Sequence, residues 1–177
     1  MSDTAALDRF LEDAGPRALV MARIATSDPD EAMDIVQDAM YNLVERYADR
    51  PEAEWSPLFF RILQSRIRDW YRRQKVRNRW RTWLGGAGDE ADPIQELPDR
   101  RGDTPETHLT QSEQGRAIQA ALATLPLRQQ QVFMLRAWEG LDVAQTAAAM
   151  GCGEGSVKTH YFRALRALRK RLGEVWP

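Results

Sequence analysis

Glu154, Ser156, Lys158, Thr159, His160, Arg163 and Arg166 crowd hydrogen-bonding and cationic side chains into one short stretch near the end of the chain. Such groups suit two tasks, reading base edges in a DNA groove and neutralising phosphates. The surrounding sequence has the pattern of two short helices and a tight turn. Asp142 is placed as an N-cap, and Val143, Thr146, Ala147 and Met150 follow at i, i+3, i+4 and i+7. Gly151-Cys152-Gly153 makes the turn. Val157, Tyr161, Ala164, Leu165, Leu168 and Leu172 form the apolar stripe of the second helix, and its other faces are basic. This is the helix-turn-helix arrangement. The early part of its second helix faces the bases, which selects Glu154, Ser156, Lys158, Thr159 and His160; Arg163 and Arg166, further along, reach phosphates. A solvated helix of an ordinary bundle would show the same charges without the capped helix and turn before them. His160 taken alone is more often a bystander than a contact.

A second basic region lies upstream. Between residues 61 and 81 stand nine basic side chains, Arg61, Arg66, Arg68, Arg72 and Arg73 among them, against Asp69 alone. Trp70, Tyr71, Trp80 and Trp83 are interleaved with them. Cations hold phosphates and aromatic faces stack on unpaired bases, so this mixture suits melted or single-stranded DNA. The bland alternative is a solvated helix with Trp70 or Tyr71 in the core. A third segment, Asp34 to Asp38 (DIVQD), sets Asp34, Gln37, Asp38 and Glu45 opposite an apolar stripe. By itself it reads as a solvated helix face.

The formal net charge of −1 hides this patterning. Basic blocks flank a stretch, residues 87–115, with eight acids against Arg100 and Arg101. That asymmetry suggests nucleic acid as partner. One cysteine, Cys152, excludes an internal disulfide, and His108 and His160 make no metal-ligand cluster. No nucleotide-binding glycine loop or catalytic triad is visible. The expectation is therefore no catalytic residue, no metal and no cofactor. The acidic start lacks a signal-peptide core, and no apolar run is long enough for membrane insertion, so a cytoplasmic protein is expected.

The elements that must position these groups read as all-α. Leu7 to about Ala25 predicts one or two helices, interrupted near Gly15-Pro16. Ser27-Asp28-Pro29-Asp30 starts the next helix, with Met33, Val36, Met40, Leu43 and Tyr47 at helical spacing. A polar loop, Asp49 to Trp55, precedes a helix starting at Ser56-Pro57 and burying Phe60, Leu63, Ile67 and Trp70 or Tyr71. From Gly85 the chain turns acidic and proline-bearing, which predicts a flexible linker over 86–112. Helices at Ala117–Thr124 and from Pro126 to near Trp138 lead into the helix-turn-helix. The expected organisation is two small helical domains, 1–85 and 113–177, each with a small core.

Taken together, DEAMDIVQDAMYNLVERY followed by WSPLFFRILQSRIRDWYRR resembles conserved region 2 of the sigma factors of bacterial RNA polymerase. LPLRQQQVFMLRAWEGLDVAQTAAAMGCGEGSVKTHYFRALRALRKRL resembles their region 4. Two blocks joined directly by a short linker resemble the extracytoplasmic-function (ECF) group. The resemblance implies a factor that binds core RNA polymerase, reads −35 and −10 promoter elements and assists melting. It implies polymerase docking by Asp34, Gln37, Asp38 and Tyr41, with Met40 nearby. It implies −10 contacts by the loop Asp49 to Ser56, with Asp49, Arg50, Trp55 and Ser56, and by Arg61, Arg66, Arg68, Arg72 and Arg73. It places Ser156, Lys158, Thr159, His160 and Arg163 on the −35 element, and it implies a cognate anti-sigma factor. In place of the family's usual Ser or Pro, Gly153 opens the second helix, a tolerated N-cap. A helix-turn-helix regulator of duplex DNA needs neither the DIVQD helix nor the basic-aromatic one. A nucleic-acid-processing enzyme would need a metal or histidine constellation that the chain lacks.

Overall fold

The computed structural model describes residues 4–85 and 113–173, and all regular structure there is helical. The expected linker over 86–112 lies outside the described residues. Three helices form the first half: α1 (Thr4–Thr26), α2 (Pro29–Tyr47) and α3 (Glu52–Gly85). The second half holds α4 (Glu113–Ala123), α5 (Leu127–Phe133) running into a π-helical turn at Met134–Trp138, α6 (Val143–Met150) and α7 (Glu154–Leu172).

Helix α1 crosses Gly15-Pro16 without the expected interruption. Proline deletes one backbone donor, but Ala14, Gly15 and Ala18 are buried here, and packing outweighs that loss. A Cβ on Gly15 would sit 2.7 Å from Met40 Cε, the movable tip of a flexible side chain, so Met40 would have to shift to admit it. Asp28 caps α2 as its sequence suggests, accepting from the backbone N–H groups of Asp30 at 2.9 Å and Glu31 at 3.1 Å. The buried stripe of α2 is Ala32, Ile35, Val36, Ala39 and Leu43. Met33, expected in it, is exposed instead, because it falls to one side of the face formed by Ala32, Ile35, Val36, Ala39 and Leu43.

Helix α3 starts at Glu52, five residues before Pro57, the expected first helical residue. Pro57 lies inside the helix, past its first turn, and removes one i→i−4 bond, a loss that the packing of Trp55, Phe59 and Phe60 offsets. The anchor is Trp55, buried beside Phe10, with its Nε1 donating to the Tyr47 carbonyl at 3.2 Å. Phe59, Phe60, Leu63 and Ile67 continue the core stripe. Tyr71 ends it, donating its hydroxyl to the Ala25 carbonyl at 2.8 Å, and burial pushes its pKa up to about 12. Beyond Lys75 every α3 residue through Leu84 is exposed. The helix therefore outruns the body by more than two turns.

The halves pack on one another. Met21, Ile24, Ala25 and Ile67 line the same small void as Leu127 and Met134. Around it run polar ties. Arg17 Nε meets Glu139 Oε1 at 3.0 Å, and Arg68 Nη1 donates to the Ala149 carbonyl at 3.1 Å. Burial holds the Glu139 carboxyl above its usual range, with Arg17 pulling the other way.

Candidate nucleic-acid interface

The helix-turn-helix is built by local chemistry that the sequence carries. Asp142 and Gln145 form a reciprocal capping box: the Asp142 carboxylate accepts from Gln145 N at 2.7 Å, and Gln145 Oε1 accepts from Asp142 N at 3.0 Å. Helix α6 ends in a Schellman turn. Gly151 stands at φ +63° and donates to the Ala148 carbonyl, and Cys152 N reaches the Ala147 carbonyl at 3.1 Å. Arg128 Nη1 closes the same helix end on the Met150 carbonyl at 2.7 Å. Gly153 then opens α7 at φ −77° without a side-chain cap. Val157, Ala164, Leu168 and Leu172 seat α7 on the body. Arg136 lies 5.7 Å from the Tyr161 ring and donates to the Leu141 carbonyl, fixing α7 to the segment before α6.

The opposite face of α7 is open. Glu154, Ser156, Lys158, Thr159, Arg163 and Arg166 are all exposed. Thr159 spends its hydroxyl proton on the Gly155 carbonyl at 3.0 Å, so toward a ligand it offers an acceptor and a methyl group. His160 is half-buried; desolvation, then the charges of Arg128 and Arg163, lower its pKa below 6.5. It is a neutral flank of the face. The sequence reading missed Phe162. Gly155, Thr159, Phe162 and Arg166 recur at i, i+4, i+7 and i+11, opposite the buried stripe, and Phe162 is 66% exposed. The signal was available as an aromatic outside the apolar register. Apolar contact with a thymine methyl is one use of such a residue in the major groove.

On α3 the cations divide into two rows, Arg61, Arg68 and Arg72 on one side and Arg66 and Arg73 on the other. Arg61, Arg72 and Arg73 are exposed and Arg66 is half-buried. Arg72 lies 3.5 Å from Asp69. Arg68 is committed to α6; its burial, then the nearby Arg128 and Arg72 charges, lower its pKa. The expected loop from Asp49 to Ser56 shrinks, since Glu52 onward is helical. Asp49 and Arg50 are exposed, with Arg50 3.8 Å from Glu54, and Ser56 is half-buried in α3. Trp55 is a correction: it is 3% exposed and serves the core, because it plugs the space under Phe10 at the α2–α3 corner.

The acidic face lies on α2, whereas the basic surfaces lie on α3 and α7. Asp34, Gln37, Asp38 and Tyr41 are exposed along one side, and Tyr41 is 67% exposed. Met33 and Val44 are exposed beside that face and add apolar surface. Among the described residues no cluster of three or more His, Cys, Asp or Glu could hold a metal ion, and no helix is long and apolar enough to cross a membrane.

Residues 115–168 match the family model described as "Sigma-70, region 4". The chain is 31% identical over 146 residues to the RNA polymerase sigma-E factor of Streptomyces antibioticus, covering 82% of this chain and 72% of that protein. It is 31% identical over 179 residues to the ECF RNA polymerase sigma factor SigL of Mycobacterium tuberculosis, covering 97% and 92%. The sigma factor RpoE of Bartonella quintana, solved in complex with the anti-sigma factor NepR, shares the fold at a TM-score of 0.61 and 20% identity, over 93% of this chain and 95% of that one.

Proposed function

The chain belongs to the ECF sigma factors of bacterial RNA polymerase, and from that premise we propose that it delivers core polymerase to promoters. It reads the −35 element through α7 and the −10 element through α3, and it assists melting. One observation carries this reading. The chain presents a capped helix-turn-helix with an open outer face and, on a different helix, an exposed acidic face. Phosphates repel Asp34 and Asp38, so the α2 face serves a protein rather than DNA. A regulator that acts on duplex DNA alone has no use for it.

The residues divide by task. Asp34, Gln37, Asp38 and Tyr41 dock polymerase, with Met33 and Val44 adding apolar area. Lys158, Thr159 and Ser156 face bases, Glu154 can accept from a cytosine amine, and Phe162 packs on a thymine methyl. Arg163 and Arg166 hold phosphates. Arg61, Arg66, Arg72 and Arg73, with Asp49, Arg50 and Ser56 near the start of α3, meet the −10 strand. Bases leave the stack at a cost of a few kcal/mol each, and a cationic helix that holds the opened strand offsets part of it. The reading asks no covalent chemistry of this chain, no metal and no cofactor, and it places the protein in the cytoplasm. The domains at 1–85 and 113–177 are the working units, and a cognate anti-sigma factor is the expected restraint.

The test is assembly of the purified chain with core polymerase on a promoter fragment, scored by footprinting. Protection of two elements upstream of the start, dependent on both chain and polymerase, is expected. Protection by the chain alone over a palindromic site would favour the regulator.

A further inference from the structure

The projecting end of α3 combines cations and indoles that suit single-stranded DNA with exposed aliphatic residues for which DNA has no use. Val76, Trp80, Trp83 and Leu84 are 54%, 60%, 79% and 77% exposed. They recur with the d–a–d–e spacing of a coiled-coil seam, on a strip about 100° wide. Trp80 and Trp83 pack edge to face, with ring centroids 5.8 Å apart and planes at 88°, which holds the seam in shape. Cations flank it. Arg72 and Arg79 occupy g-type positions and Arg77 an e-type one, and from Arg72 to Gly85 there is no acid. Contiguous exposed apolar surface rimmed by charge marks an interaction site.

We propose that the end of α3 is a docking surface for a helix of another protein that has an apolar a/d seam and acidic e/g flanks. Charge complementarity selects this occupant. A second copy of the chain would set cation against cation across the seam. DNA would satisfy the arginines and could stack on the indoles, yet it leaves Val76 and Leu84 without a use. An acidic amphipathic helix meets both the seam and its flanks. The surface goes beyond the promoter-recognition reading, overlaps its −10 row only at Arg72, and shares no residue with the α2 docking face.

Two synthetic peptides test it on the full chain by fluorescence anisotropy. One has leucine at a and d with glutamate at e and g; the other has lysine in place of the glutamates. The chain should bind the glutamate peptide at least about tenfold more tightly than the lysine peptide. Trp80→Gln with Trp83→Gln should abolish that preference while leaving helicity and co-elution with polymerase unchanged, since both side chains are exposed. Arg77→Glu with Arg79→Glu should reverse the preference. Equal binding of the two peptides, or none, overturns the proposal. So does a tryptophan emission shift on phosphatidylglycerol vesicles or on single-stranded DNA that the glutamate peptide fails to produce, which would assign the seam to lipid or to DNA. Lost co-elution of the unmutated chain would count against the sigma reading and leave this test standing.

Discussion

Phe162 and Lys158 sit one turn apart on α7, and both point away from the core. Replacing either with alanine removes surface that the fold does not use, so stability should change by no more than about 0.5 kcal/mol. Each loss should weaken binding to a −35 duplex by about 1–3 kcal/mol, measured by fluorescence anisotropy. The two losses should differ in kind. Lys158→Ala should reduce the salt dependence, whereas Phe162→Ala should leave it alone and relax preference at a thymine. His160 behaves differently. Burial holds its folded pKa below the ordinary histidine value of 6.5, so the unfolded chain binds more protons as pH drops through that range. The His160 contribution to stability is therefore intact above 6.5 and is lost as pH falls toward the folded pKa. Thermal midpoints between pH 7.5 and 5.5 (about a unit either side of that value) should fall less for His160→Gln than for the unmutated chain. The cationic and polar members of the α7 face were legible from residue type. Phe162 was not, because an aromatic on a helix reads as core unless its register is compared with that of Val157, Ala164 and Leu168.

The turn between α6 and α7 contains two glycines with unequal burdens. Gly151 is in the left-handed region at φ +63°, and Gly153 is at φ −77°, open to any residue. Gly151→Ala should cost about 1 kcal/mol or more of stability and weaken duplex binding by tilting α7. Gly153→Ser should be neutral or slightly stabilising, since serine is a better N-cap than glycine. Urea denaturation of both variants checks this. Capping chemistry made this element readable in advance: Asp142 with Gln145 and Asp28 ahead of Pro29 act within a few residues of chain. The prolines misled for the converse reason. Pro16 and Pro57 predict boundaries from local propensity, while Ala14, Gly15 and Trp55 act through contacts with helices remote in sequence, and those contacts keep α1 and α3 continuous.

At the scale of the whole molecule the two halves are bound to one another through residues that also have work elsewhere. Arg68 holds the Ala149 carbonyl, and it lies in the same row as Arg61 and Arg72. Its Nη1 is committed while α6 is in place, so on the proposed reading full engagement of the −10 strand along this row would compete with the contact between halves. Ile67 and Met21 share a void lining with Leu127 and Met134, so thermal unfolding should be a single transition by calorimetry. Arg68→Ala should lower its midpoint, and two separated transitions in the unmutated chain would contradict the shared core. This packing was not legible in the sequence. Composition marks two helical blocks and an acidic stretch, but an arginine bound to a helix-end carbonyl looks the same on paper as one facing DNA. Polymerase docking by the α2 face is checked by size exclusion of the chain mixed with core RNA polymerase. The unmutated chain should co-elute with polymerase, and Asp38→Arg should not, while retaining its fold and its duplex binding. Co-elution unaffected by Asp38→Arg would contradict the docking assignment, and no co-elution of the intact, folded chain would contradict the account itself.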